Sequence, residues 1–187
     1  MDTATVPTPL GPFSMITLDG GIVASGFTDA PATLLAELPA PYRDGSPRAG
    51  DTPAPYVSAV RAYFDGAVDA LDELPVVQFG NDFRRAAWRE MRRVKPGESV
   101  GYQELAGRAG RPGAARMAGS ACAYNLVPLI VPCHRVRRTD GSLGGYYYGL
   151  DVKRWLLAHE RGELLPSTPA PVAVARTAVN GQEGHGR

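Results

Sequence analysis

The chain has 187 residues, 44% of them apolar, with 20 Lys plus Arg against 19 Asp plus Glu and a formal net charge of +1. That length builds one domain or two small ones. Two cysteines are too few for a disulfide scaffold, no apolar run approaches the about 20 residues of a membrane span, and no basic-then-apolar leader opens the sequence. The expectation is a soluble, cytoplasmic protein, nucleoid-associated if bacterial.

Residues 12–28, PFSMITLDGGIVASGFT, read as two strands around the turn Asp19-Gly20-Gly21, a hairpin signature. The Pro-, Gly- and Asp-rich stretch 39–55 reads as a loop. A helix then begins at VSAVRAYFDGAVDAL, with Val57, Val60, Tyr63 and Phe64 on one face. Val76, Val77 and Phe79 resemble a further short strand. These elements form a small α/β unit over 1–79 with a short antiparallel sheet.

The composition changes at Gly80. Residues 1–79 hold three basic groups against ten acidic ones, net −7, whereas 80–163 hold fifteen against eight, net +7. Such asymmetry between halves is a nucleic-acid signal, although basic residues solvating helix faces produce it too. In 82–94, Phe83, Ala87, Met91 and Val94 share a helical face, and Pro96-Gly97 ends the helix. Tyr102 precedes a short helix, QELAGRA, that stops at Gly110. Pro112 opens the next, PGAARMAGSACAYN, in the first-turn position. Two short helices joined by a Gly-containing turn make a helix-turn-helix unit. The second helix is almost all small side chains around Arg116, which suits close approach of a bulky partner or tight core packing.

VPLIVPCHRV, between Asn125 and Arg137, reads as an extended apolar segment, and Thr139-Asp140-Gly141-Ser142 as a hairpin turn. A loop at 144–149 precedes a final helix, VKRWLLAHERG, that Asp151 can cap. Residues 166–187 lack apolar periodicity and are expected to be disordered. The chain thus divides into 1–79, 80–165 and a tail, 166–187.

Cys133-His134 is the one candidate for nucleophilic chemistry, since an imidazole beside a thiol favours the reactive thiolate. In an extended chain, however, adjacent side chains point to opposite sides, so the pair would meet only through a bend or a bridging water. Cys122 reads as packing, and the histidines at 134, 159 and 185 have no metal-ligand spacing.

Tyr102-Gln103-Glu104-Leu105-Ala106, Arg116 in its small-residue helix, Asn125, Pro132-Cys133-His134-Arg135-Val136, Gly145-Tyr146 and KRWLLAHE (153–160) together resemble the O6-alkylguanine-DNA alkyltransferases. The resemblance is strong over 80–163 and loose over 1–79. It implies a mostly helical, winged-helix or helix-turn-helix-like second domain. It also implies a direct-reversal repair protein that flips O6-alkylguanine (mainly O6-methylguanine, and by extension O4-methylthymine) out of double-stranded DNA. The alkyl group then passes irreversibly to a cysteine, without cofactor or metal, one event per monomer. By position, Cys133 is the acceptor, His134 a base acting through water, and Glu160 its orienting partner. Asn125 holds the active-site turn, and Tyr102 donates a proton to the leaving guanine. The carbonyls of Cys133 and Val136 and the amides around Tyr146, Tyr147 and Tyr148 contact the base. Arg116 fills the space of the flipped nucleotide. Ala115 and Gly119 lie in the minor groove, and Gln103, Arg111 and Thr139 touch the backbone. Tyr147 and Tyr148 stand where the family has small residues, and that bulk is expected to disfavour benzyl-sized groups. The alternatives are a non-catalytic, regulatory helix-turn-helix protein and a Cys-His-Glu thiol hydrolase.

Overall fold

Asp19 and Gly20 both adopt positive φ, 49° and 78°, and so form the two-residue turn whose twist matches the flanking strands. In the computed structural model, which describes residues 1–43, 48–49 and 54–169, this turn joins β2 (Gly11–Leu18) to β3 (Gly21–Phe27). Two strands of this sheet went unforeseen. A strand at the start of the chain, β1 (Asp2–Thr8), pairs antiparallel with β2, and the two-residue β4 (Arg48–Ala49) pairs parallel with β1. The sheet order is β3-β2-β1-β4. Its two faces are both covered. Phe13, Met15, Ile22 and Phe27 join the main core, while Ile16, Val23 and Ala24 meet Leu34 and Leu38, in and just after the short helix α1 (Pro31–Leu35).

The open edge of β3 is closed by other parts of the chain. Ile22 donates its N–H to Pro75 O and accepts from Val77 N, and Ser25 N–H donates to Leu126 O. Val76 makes one parallel bridge to Ile22, so the strand expected at 76–79 is reduced to a single bridge. Capping an edge in this way removes a template for unwanted pairing. Here it also ties the sheet to the segment that carries the cysteine.

Helix α2 (Ala54–Phe64) starts three residues earlier than its apolar pattern suggests, packs against β1, and buries Tyr56, Val60 and Tyr63. Helix α3 (Asp82–Arg93) is capped by Asn81, whose side chain accepts from Arg84 N at 3.0 Å. Phe83, Ala87 and Met91 are buried along the expected face, with Trp88 beside them. A Met or Phe buried this fully contributes about 1.5–3 kcal/mol. Trp88 Nε1 donates to Ala121 O at 2.8 Å and so docks α3 on α5 (Ala115–Ala123). That helix begins three residues after Pro112, because Gly113 takes φ 86° and breaks the helical path. It follows α4 (Tyr102–Arg108). Ala118 and Ala121 face the core whereas Ala115, Arg116 and Met117 do not, so the small residues serve packing on one side and leave the other side open.

The expected extended segment at 127–136 is instead a compact turn. Val131 N donates to Val127 O, Leu129 sits at φ 72°, and Cys133–Arg135 form one 3-10 turn. After it, β6 (Val136–Arg137) pairs parallel with β5 (Val100–Gly101), so the Gly141 turn follows a strand but does not join a hairpin. Helix α6 (Leu150–Glu160) starts after Gly149, and Asp151 lies in its first turn paired with Arg154 instead of capping it. One continuous cluster of buried side chains runs from Val6 in β1 to Leu156 in α6. No helix among the described residues is long and apolar enough to cross a membrane. Residues 166–169 have no regular structure, and the rest of the expected tail lies outside the described residues.

Candidate functional site

The 3-10 turn solves the geometric problem that an extended chain posed, because it bends the backbone at Cys133-His134. Asn125, fully buried, builds the turn before it. Its Nδ2 donates to Val131 O at 2.8 Å, and its Oδ1 accepts from Val127 N at 3.1 Å and from Gln78 Nε2 at 2.8 Å. The two bonds to the backbone of Val127 and Val131 bracket Leu129, which takes a left-handed conformation that a leucine seldom adopts. From the sheet, Ser25 Oγ donates to Pro128 O at 2.9 Å.

His134 is fully buried. Its Nε2 lies 2.7 Å from Glu160 Oε1, and its Nδ1 is buried with no hydrogen-bond partner among the described residues. Arg135 holds the same carboxylate in a fork, with Nη2 to Oε1 at 2.9 Å and Nε to Oε2 at 3.0 Å, while its Nη1 donates to Val94 O at 2.6 Å. A buried carboxylate with this many donors stays ionised. Burial alone would raise Glu160, but the charges and hydrogen bonds of His134 and Arg135 outweigh it and hold the carboxyl well below its usual range. Burial pushes His134 down, with Arg135 and Lys153 adding to the shift against the pull of Glu160. The imidazole is therefore neutral at pH 7, with Nε2–H donated to Glu160 and Nδ1 available as a base.

Cys133, buried, lines a cavity of about 460 Å³ together with Tyr102, Gly119, Cys122, Tyr124 and the Tyr146–Tyr148 wall. That volume suits a small organic group or a nucleobase. The Tyr102 ring passes between two glycines: a Cβ on Gly144 would lie 2.8 Å from its hydroxyl, and one on Gly119 would lie 4.0 Å from its ring. Burial, then the nearby Cys122 and Cys133 sulfurs, push the Tyr102 phenol up to about 12, so it keeps its proton at physiological pH. Tyr148 is buried edge-on to Phe27, 5.1 Å between centroids, with its hydroxyl against Gly26 of β3, whereas Tyr147 is exposed. Val136 O accepts from Lys153 Nζ at 2.7 Å, which leaves its second lone pair for another donor.

A second, shallower groove shares Tyr102 and Gly119 with the cavity and is lined also by Gln103, Ala115, Arg116, Arg138, Thr139 and Asp140. Arg116 is exposed and makes no ion pair among the described residues. Arg111 is exposed but does not line this groove. Among the described residues no cluster of His, Cys, Asp or Glu has the makings of a metal site.

Sequence reasoning missed several participants, Arg135 on the Glu160 carboxylate among them. Tyr63, Gln78 and Ser25 reach the site from far along the chain, where no spacing points to them. Lys153, inside KRWLLAHE, is fully buried and donates to Val136 and Leu143 carbonyls. Cys122 packs as expected but also faces the cavity. Residues 82–162 match the family profile described as the 6-O-methylguanine DNA methyltransferase DNA-binding domain. The chain is 35% identical to a methylated-DNA–protein-cysteine methyltransferase of Shigella flexneri, over 83% of this chain and 92% of that one. It is 36% identical to the human protein of the same name, over 86% and 80%. Among solved structures, a Mycobacterium tuberculosis alkyltransferase in complex with DNA superposes with a TM-score of 0.71 at 28% identity, covering 87% of this chain and 94% of that one.

Proposed function

The chain belongs to the methylated-DNA–protein-cysteine methyltransferase family, and on that premise we propose that it repairs alkylated DNA by moving the O6-alkyl group of a flipped guanine onto Cys133. The observation that carries the assignment of the acceptor is the buried His134–Glu160 pair beside a cysteine that lines a nucleobase-sized cavity. His134 Nδ1, the nitrogen not engaged by Glu160, takes the thiol proton through a bridging water. The thiolate sulfur attacks the alkyl carbon, the S–C bond forms and the C–O6 bond breaks. The electron pair goes to the guanine, which Tyr102 protonates or hydrogen-bonds as it leaves. The sulfur ends as a thioether, so nothing regenerates it and each molecule acts once. No cofactor enters the balance.

On the DNA side, α4 and α5 act as a helix-turn-helix within a winged-helix-like second domain (80–165), and residues 1–79 form a supporting domain packed on it. Ala115, Arg116 and Gly119 enter the minor groove, about 6 Å wide, where large side chains do not fit. Arg116 fills the vacated stack, and Gln103, Arg111 and Thr139 meet phosphates. Flipping costs a few kcal/mol, least for a mispaired alkylated base. The carbonyls of Cys133 and Val136 receive the exocyclic amine, and the Tyr146–Tyr148 backbone meets O6. One chain suffices for the reaction.

Mass spectrometry after mixing with an O6-methylguanine oligonucleotide tests this reading. One added methyl, on Cys133 and never more than one, is expected. Catalytic release of product, as from a thiol hydrolase, or DNA binding with Cys133 unmodified would overturn it.

A further inference from the structure

Glu160 receives a hydrogen bond from the opposite half of the chain. The hydroxyl of Tyr63, in α2, donates to Oε1 at 2.9 Å, on the same oxygen that faces His134. Tyr63 is fully buried, with its ring edge-on to Phe64 and to His159. A phenylalanine would fill that space equally well, so packing accounts for the ring and leaves the hydroxyl unexplained. Building on the reading of Cys133 as alkyl acceptor, we propose that Tyr63 is a positioning residue of the relay: its hydroxyl fixes the Glu160 carboxylate and tempers the basicity it lends to His134.

The charged and titratable groups around this oxygen are few. His134 and Arg135 face it from the cysteine turn, Gly97 N approaches Oε2 at 3.5 Å, and Arg161 follows on the same helix. His134 itself also feels Lys153 and meets the Tyr146 ring in a T-shaped contact. A neutral donor on Oε1 draws charge away from the bond to Nε2–H. Without it, Oε1 stabilises the imidazolium more strongly and His134 titrates higher. Burial and the neighbouring carboxylate keep the Tyr63 phenol well above its ordinary range, so it remains a donor throughout.

The test is the pH dependence of the single-turnover transfer rate in the full chain. Tyr63→Phe is expected to move the acid limb upward by roughly 0.5–1 pH unit. Replacing Tyr63 by 3-fluorotyrosine keeps the ring and strengthens the donor, and should move the limb downward even if the phenylalanine variant folds poorly. A limb that stays in place in both proteins, with or without a uniform loss of rate, overturns the proposal and leaves Tyr63 a packing residue. Wild-type protein that never gains a methyl on Cys133 would instead overturn the functional reading itself.

Discussion

Gly144→Ala is the sharpest perturbation of the proton donor, because it alters Tyr102 without touching it chemically. Gly144 sits at φ 65°, and an added Cβ would lie 2.8 Å from the Tyr102 hydroxyl, 3.1 Å from Cε2 and 3.4 Å from Cζ. The left-handed backbone costs an alanine about 1–2 kcal/mol. Holding the ring in place against the new methyl would cost a further 1–3 kcal/mol or so. Tyr102 is only half-buried, so swinging it aside is the cheaper relief, and the donor then leaves the departing guanine. Stability should fall by about 1–2 kcal/mol, a Tm drop of roughly 2–8 °C for a chain of this size. The transfer rate should fall about 100-fold, the usual contribution of a positioned acid. Stopped single-turnover assays on an O6-methylguanine duplex, with binding measured separately, would show the rate loss without loss of affinity. Transfer at the wild-type rate with an unchanged Tm would refute both the packing of Tyr102 against Gly144 and its role as donor.

Asn125→Ala should cost about 3 kcal/mol in urea titrations, since it strands the buried Val127 N–H and Val131 carbonyl, and it should abolish transfer. Acid should destabilise the protein in two stages, readable as Tm against pH. His134, depressed by burial, withholds a proton that the unfolded chain accepts below about pH 6.5. Glu160, also depressed, loses its contribution as pH falls below about 4.3, the unfolded value, towards its folded one. A flat Tm between pH 7 and 5 would contradict the neutral buried imidazole. Arg116→Ala should slow transfer from duplex DNA by roughly 10-fold or more while leaving transfer from the free base unchanged, because only the duplex must be held open. Methyl transfer should outpace benzyl transfer, and Tyr147→Ser should narrow the gap; equal rates in the wild-type protein would remove Tyr147 and Tyr148 as a limit on the alkyl group.

Local chemistry made much of this fold legible. Asp19-Gly20 specifies its turn by φ, and Phe83, Ala87 and Met91 specify the buried face of α3 by spacing. The residues that meet at the cysteine were named through the family resemblance, and the structure brings Cys133, His134, Glu160, Asn125 and Tyr102 into one neighbourhood. Failures arose where distant contacts override local preference. Two prolines and an apolar run suggest an extended segment at 127–136, yet Asn125 and Ser25 supply the bonds that make a turn cheaper. In β1, Thr and Pro7 mask the strand pattern, and only its partner β2 defines it. Pro112 signals a helix start, but Gly113 takes the chain out of helical φ.

Two of the bonds that complete the site each span more than half of the chain: Ser25 to Pro128 closes over 103 residues and Tyr63 to Glu160 over 97. Contacts this distant carry a large loop-closure entropy and reward folding only once both ends are in place. The cysteine turn, strained at Leu129 and clamped from the sheet, is thus among the last parts of the molecule that folding can finish. Transfer onto Cys133 is therefore withheld from the nascent and partly folded chain, because the acceptor turn, the His134–Glu160 pair and the cavity come together only once both ends are in place.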